Sequence, residues 1–160
     1  MDAMEHIEQV TGPVSALVYP TIRFEELGRL LHKFGFDAER IDDGGGPAWR
    51  TLGSPRFTAL LPNTRGSRPS ASEFVFLYAH LFSTHDISPT VVRDLRWKTI
   101  YAHLIVHNSG HIAATHDLML AGGVTERYLR EQLRTWRRDL EIVRNAIRNQ
   151  LRRAAGSSLH

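Results

Sequence analysis

There is no cysteine anywhere in the 160 residues. That absence excludes disulfides, thiolate zinc sites and a cysteine nucleophile, and it suits a reducing compartment. Long apolar runs are also missing, and nothing approaches the roughly 18 residues that a membrane-crossing helix needs. The opening MDAMEHIEQV is acidic and has neither the basic stretch nor the apolar stretch of a secretory leader. A cytoplasmic protein with no membrane partner is therefore the expectation. Catalytic and cofactor signatures are absent too. Neither GxxxxGK[ST] nor GxGxxG occurs, and there is no HExxH and no nucleophile elbow. The chain reads as non-enzymatic and without a cofactor.

What is present is ordinary in bulk and uneven in detail. Hydrophobic residues make up 42% and charged residues 23%, enough for one soluble domain with a real core. The net charge is +3, yet residues 125–155 hold nine arginines against four acids, leaving the rest of the chain at −2. The basic character belongs to the C-terminal segment.

Periodicity outlines the elements. TIRFEELGRLLHKFGF places Phe24, Leu27, Leu31 and Phe34 at helical spacing, with Thr21 as N-cap and Gly35 at the C-terminal end. AERID, AWRTL and RFTALL read as short strands, the first two separated by a DGGGP turn in which Asp42 and Asp43 are turn residues. NTRGSRPSAS is a polar loop, and EFVFLYAHLF is apolar enough for a central strand covered on both faces. Ser88 and Pro89 open a short second helix. IYAHLIVH, NSG and HIAATHDLML form a hairpin whose three-residue loop puts Val106 opposite Ile112 and His107 opposite His111. Finally Leu129, Leu133, Trp136, Leu140, Val143, Ile147 and Leu151 stripe one long helix. The expected fold is α+β: an antiparallel sheet of five or six strands, an N-terminal helix, a short middle helix and a long C-terminal helix. Residues 1–20 read as a peripheral segment, 21–153 as a single domain and 154–160 as a fraying tail.

Three features could carry function. Gly122 and Gly123 precede a helix, where backbone amides can hold a phosphate. The competing reading is a strand-to-helix joint, in which Thr125 caps the helix and Val124 and Leu129 staple it. That reading accounts for every residue there. His103, His107 and His111 share one hairpin face, so they are candidate metal ligands, though a flat sheet suits tetrahedral zinc poorly. A polar sheet face is the plainer reading, and repulsion between imidazolium charges is another. Arg130, Arg134, Arg137, Arg144, Arg148 and Arg152 line one side of the last helix. Such a stripe can be a solvated face, a contact for an acidic partner or second copy, or a phosphate track. No nucleic-acid-binding signature accompanies it, so nucleic acid is the weakest of these.

HDLMLAGGVTERYLREQLRTWRRDL resembles the end of YbjN-family domains: an acidic-apolar strand, a GGV[ST] turn and a helix with a tryptophan about a dozen residues on. Asp117, Leu118, Gly122, Gly123, Val124, Thr125 and Trp136 carry that resemblance. FEELGRLLHKFGFDAERID is similar to the family's first helix and following strand. The family is described as sensory-transduction regulators. The resemblance implies a fold like that of class I type III secretion chaperones, which often pair into homodimers. It implies a protein partner, and no catalysis, cofactor or defined ligand.

Overall fold

The computed structural model describes residues 17–42, 46–62, 71–83 and 87–157. Residues 1–16 of the N-terminal segment, Asp43, most of the 63–72 loop, Asp86 and residues 158–160 of the tail lie outside them. In chain order the elements are β1 Val18–Tyr19, α1 Phe24–Lys33, β2 Ala38–Asp42, β3 Pro47–Thr51, β4 Thr58–Leu60 and β5 Phe74–Ser83. They continue with α2 Pro89–Arg96, β6 His103–Val106, β7 His111–Met119, β8 Val124–Thr125 and α3 Glu126–Ser157. Six strands form one antiparallel sheet in the order β2-β3-β4-β5-β7-β6, and β1 pairs with β8 in a small ribbon. The fold is α+β, as the periodicity implies.

Strand alternation decides which side of the sheet is covered. Val75, Leu77 and Ala79 of β5 are buried, as are their partners Leu118 and Ala114 of β7. Against them lie Phe24, Leu27, Leu30 and Leu31 of α1 and the Leu129-to-Ile147 stripe of α3. Phe74, Phe76 and Tyr78 point the other way and are only half-buried. None of the three joins the core cluster. The expectation that β5 is covered on both faces is therefore wrong among the described residues, because all three helices pack on one side of the sheet. The hairpin register is as expected, with Val106 opposite Ile112 and His103 opposite Thr115. Gly110, at φ +80°, closes it through its N–H to the His107 carbonyl at 2.9 Å.

Close approach fixes α1 to the sheet. Trp49 of β3 stacks on Phe24 at 5.3 Å between ring centroids, and its indole N–H donates to the Phe24 carbonyl at 2.9 Å. A Cβ on Gly28 would sit 2.2 Å from the Trp49 ring, so a residue that is otherwise a poor helix former is required there. The helix begins at Phe24, and Thr21 is not its cap. Ile22 exchanges backbone hydrogen bonds with Ser72, which keeps the chain extended up to Arg23.

At the two ends of the described chain, Val18 and Tyr19 pair with Thr125 and Val124, with Tyr19 buried, and α3 runs to Ser157.

The hairpin's first strand is shorter than IYAHLIVH suggests, and the cause is one side chain. Asp139 of α3, 1% exposed, accepts the backbone N–H groups of Ile100, Tyr101 and Ala102 at 2.8, 2.6 and 3.0 Å. These donors turn to the helix instead of a neighbouring strand, so β6 starts only at His103. Ile100 is 65% exposed. Hydrogen bonds to a charged group are worth about 1.5–3 kcal/mol each, and buried donors left bare cost about 1–3. Asp139→Ala should therefore lower unfolding stability by about 3–5 kcal/mol in urea titrations, and Asp139→Asn by about 1–2, since the amide keeps one acceptor oxygen. An alanine variant within about 1 kcal/mol of wild type would show that the loop does not depend on this carboxylate.

Candidate functional site

The arginines of α3 share a side of the helix but not a role. Arg130 reaches Glu126, Arg134 reaches Glu131 and Arg137 reaches Glu141, at 3.3, 3.4 and 3.4 Å. Arg130 also lies over the Phe34 ring. Arg148 and Arg152 are exposed. Arg144 differs: its guanidinium donates to Ser54 in the loop between β3 and β4. The first three arginines are therefore locally neutralised in i,i+3 and i,i+4 pairs of the kind that stabilise an isolated helix only slightly.

Gly122 and Gly123 adopt φ +83° and +86°, conformations that only glycine takes at little cost. A Cβ on Gly123 would lie 2.5 Å from Val18. The pair brings Val124 and Thr125 alongside Val18 and Tyr19, and Thr125 Oγ1 then accepts the Tyr128 N–H at 3.2 Å at the start of α3.

The histidines do not gather as the hairpin face suggests. His111 meets His80 of β5, with His80 Nε2 and His111 Nδ1 3.1 Å apart and Ser83 Oγ within 3.1 Å of both. Among the described residues no side-chain hydrogen bond joins His103 or His107 to this group, although the His107 backbone pairs with His111 across the turn. A register shift in β5 between His80 and Phe82 brings Ser83 opposite His111. That irregularity has no clear sequence signal. Among the described residues no three His, Asp or Glu side chains are grouped as metal ligands would be.

Two surfaces stand out. The sheet face that no described helix covers carries a row made by the pairing register, Ile41 opposite Ala48, Ala48 opposite Leu60 and Leu60 opposite Phe76, in which Ala48 is buried and the other three are half-buried. Phe74 and Tyr78 lie along β5 on either side of it, and Met119, opposite Phe74, is 53% exposed. The Glu39–Arg50 ion pair, 2.6 Å, borders the row. The second surface is a cleft of about 300 Å³ where the β3–β4 loop, the end of β5 and α3 meet, lined by Ser54, Arg56, His80 and Arg144 with Leu52 and Leu81.

On the covered face one polar chain runs through the core. His116 is stacked on Tyr101 at 4.8 Å and lies 6.1 Å from the Trp136 ring. Gln132 donates to the Tyr101 hydroxyl, leaving its Oε1 to accept from His116 Nε2 at 3.2 Å. Sequence reading missed His116, although it alternates with Ala114 and Leu118 on the core side of β7. It also missed Gln132 and Asp139, which lie seven residues apart on the flank of α3 facing Tyr101.

With this geometry in place, comparison with known families supplies a class for the domain. The YbjN family profile, described as "Putative bacterial sensory transduction regulator", matches residues 23–149. That span is most of the chain, and the chain belongs to the YbjN family. No curated protein sequence matches it at a significant level. Among the described residues no helix is long and apolar enough to cross a membrane.

Burial pushes the His116 imidazole below its ordinary pKa, opposed by its bond to Gln132 and by the charges of Asp117 and Asp139. The unfolded chain takes up this proton first as the pH falls. Stability from the neutral ring is thus complete above the unfolded value near 6.5 and declines as pH drops toward the folded value. Urea midpoints measured at pH 7.5 and 5.5 should fall further for wild type than for His116→Gln. Equal pH dependence in both would rule out His116 as the source.

Proposed function

We propose that this chain is a non-enzymatic regulatory domain that binds a protein partner through the uncovered face of its sheet. The observation that carries the reading is the Ile41–Ala48–Leu60–Phe76 row with its flanking Phe74 and Tyr78. A sheet face built from apolar and aromatic side chains is the usual covered side of a layer, and here no helix of the described residues covers it. Aromatic side chains are also what protein interfaces concentrate at their centres. Membership in a family of transduction regulators supports a role in binding and regulation over one in catalysis. The lack of any sequence motif for catalysis agrees. A cytoplasmic setting suits a cysteine-free chain.

The partner is a protein segment of apolar character, or a second copy of this chain laid face to face. A long phosphate track along α3 is the weaker reading, because Arg130, Arg134 and Arg137 each already have an acidic neighbour.

Placing a photo-crosslinking residue at Phe76 in cells of the native host should give a discrete adduct that the same residue at Arg138, on the exposed side of α3, does not. Tyr78→Glu should abolish the Phe76 adduct and leave the melting temperature unchanged within about 2 °C, as expected for a surface substitution. Light scattering on the purified chain separates the two partners: a dimer that Tyr78→Glu converts to monomer identifies the second copy. Identical adducts from Phe76 and Arg138 would sink the assignment of the face.

A further inference from the structure

We infer that the cleft between the β3–β4 loop and α3 is a binding site for a small phosphomonoester, which would act as the input of the regulatory domain proposed above. The inference rests on that reading only for its biological meaning.

The cleft is built, not incidental. Thr51 closes the neck of the loop, since its backbone N–H donates to the Phe57 carbonyl at 2.9 Å while its hydroxyl accepts the Phe57 N–H at 2.9 Å. Leu52 N–H donates to the Asp37 carbonyl at 2.8 Å, and the Phe57 ring packs edge-on to Trp136 of α3 at 6.2 Å. The short loop that carries Ser54 and Arg56 is thereby fixed against both sheet and helix. The register shift in β5 at His80 and Phe82 leaves Leu81 as part of the opposite wall.

Charge gives the site its ligand class. Arg56 and Arg144 both line the cleft, no acidic residue does, and neither guanidinium has a carboxylate within ion-pair distance among the described residues. This sets them apart from the ion-paired Arg130, Arg134 and Arg137, which lie roughly two to four turns before Arg144 on α3. Two planar forks with a hydroxyl donor, Ser54, and an imidazole, His80, match the several acceptor oxygens of a phosphate better than the two of a carboxylate. A volume of about 300 Å³ falls at the small end of ligand pockets and suits a compact molecule. Leu52 and Leu81 offer apolar wall to its organic part.

The test is a heteronuclear NMR titration of the whole chain with glycerol 3-phosphate, inorganic phosphate, succinate and chloride at constant ionic strength. Glycerol 3-phosphate should give saturable shifts at residues 52–56 and 80–81, with weaker saturation by inorganic phosphate and none by chloride. Arg56→Gln should weaken binding about tenfold or more, the effect of losing one charge-assisted contact. Arg134→Gln should leave it unchanged. Arg144→Gln should behave like Arg56→Gln; if losing the Ser54 contact unfolds the loop, Arg56, with no ion pair to lose, decides alone. Tighter saturation by succinate than by either phosphate would overturn the ligand class. Linear, non-saturating shifts, or equal losses in Arg56→Gln and Arg134→Gln, would overturn the site. Crosslinking at Phe76 is independent of these shifts, so failure here leaves the partner-binding face standing, and the reverse also holds.

Discussion

A single buried carboxylate organises the C-terminal half of this domain. Asp139 lies in the middle of α3, 1% exposed, where an unpaired charge would be very costly. It is held by three backbone N–H groups in succession, from Ile100 to Ala102. Of those donors, the hairpin register would turn the Tyr101 N–H toward β7. By taking them, Asp139 ends β6 early, bends the connection from α2 toward the helix, and fixes Tyr101 where it stacks on His116 and receives the Gln132 amide. Gln132 stands two turns before Asp139 on the same flank. The two buried polar residues of α3 therefore act on one three-residue segment. The apolar stripe alone would permit the helix to rotate or slide against the sheet, and these directional contacts select one position.

The flanks of α3 are thus unequal. One holds Gln132 and Asp139 and is consumed by the fold. The other holds the arginines, of which Arg130, Arg134 and Arg137 pair with Glu126, Glu131 and Glu141. Glu126 also receives Lys33 at 2.7 Å, joining the end of α1 to the start of α3 across the β1–β8 ribbon. All of this binds the helices to one side of the sheet. The same arrangement leaves the other side with a row of apolar and aromatic residues that no helix of the described residues covers, and that asymmetry is the main reason to read the protein as a binder.

Much of the architecture was legible from local signals. The three-residue turn closed by Gly110 set the hairpin register, Ser88 and Pro89 marked α2, and the Leu129–Ile147 stripe marked α3 and its buried side. The signals that failed were tertiary. EFVFLYAHLF was read as doubly covered because hydrophobicity reports a preference for burial and cannot say what does the burying. The metal candidates His103, His107 and His111 were grouped by hairpin alternation alone, while the structure joins His111 to His80 through a neighbouring strand and a register shift. Asp139 looked like one more charge on a charged helix. Thr21 has the right chemistry for a cap, yet the Ile22–Ser72 bridge keeps the chain out of the helix as far as Arg23. In each case a contact distant in sequence outweighed a local preference.

The two surfaces with the strongest claim to function share the β3–β4 hairpin and β5. Arg56 and Ser54 sit in the loop between β3 and β4, and one residue past Arg56 and Phe57 the chain enters Thr58, opposite Tyr78 on the open face. Thr51 and Phe57 tie the base of that loop into the sheet, so a shift of the loop that alters the Arg56–Arg144 separation must either break the Thr51–Phe57 contacts or move β4. Coupling between sites requires that a ligand distinguish two arrangements of something both sites touch. The β3–β4 hairpin and β5 both contribute side chains to the cleft and to the Leu60–Phe76 row, which makes them the shortest physical routes between the proposed anion in the cleft and the proposed partner on the sheet.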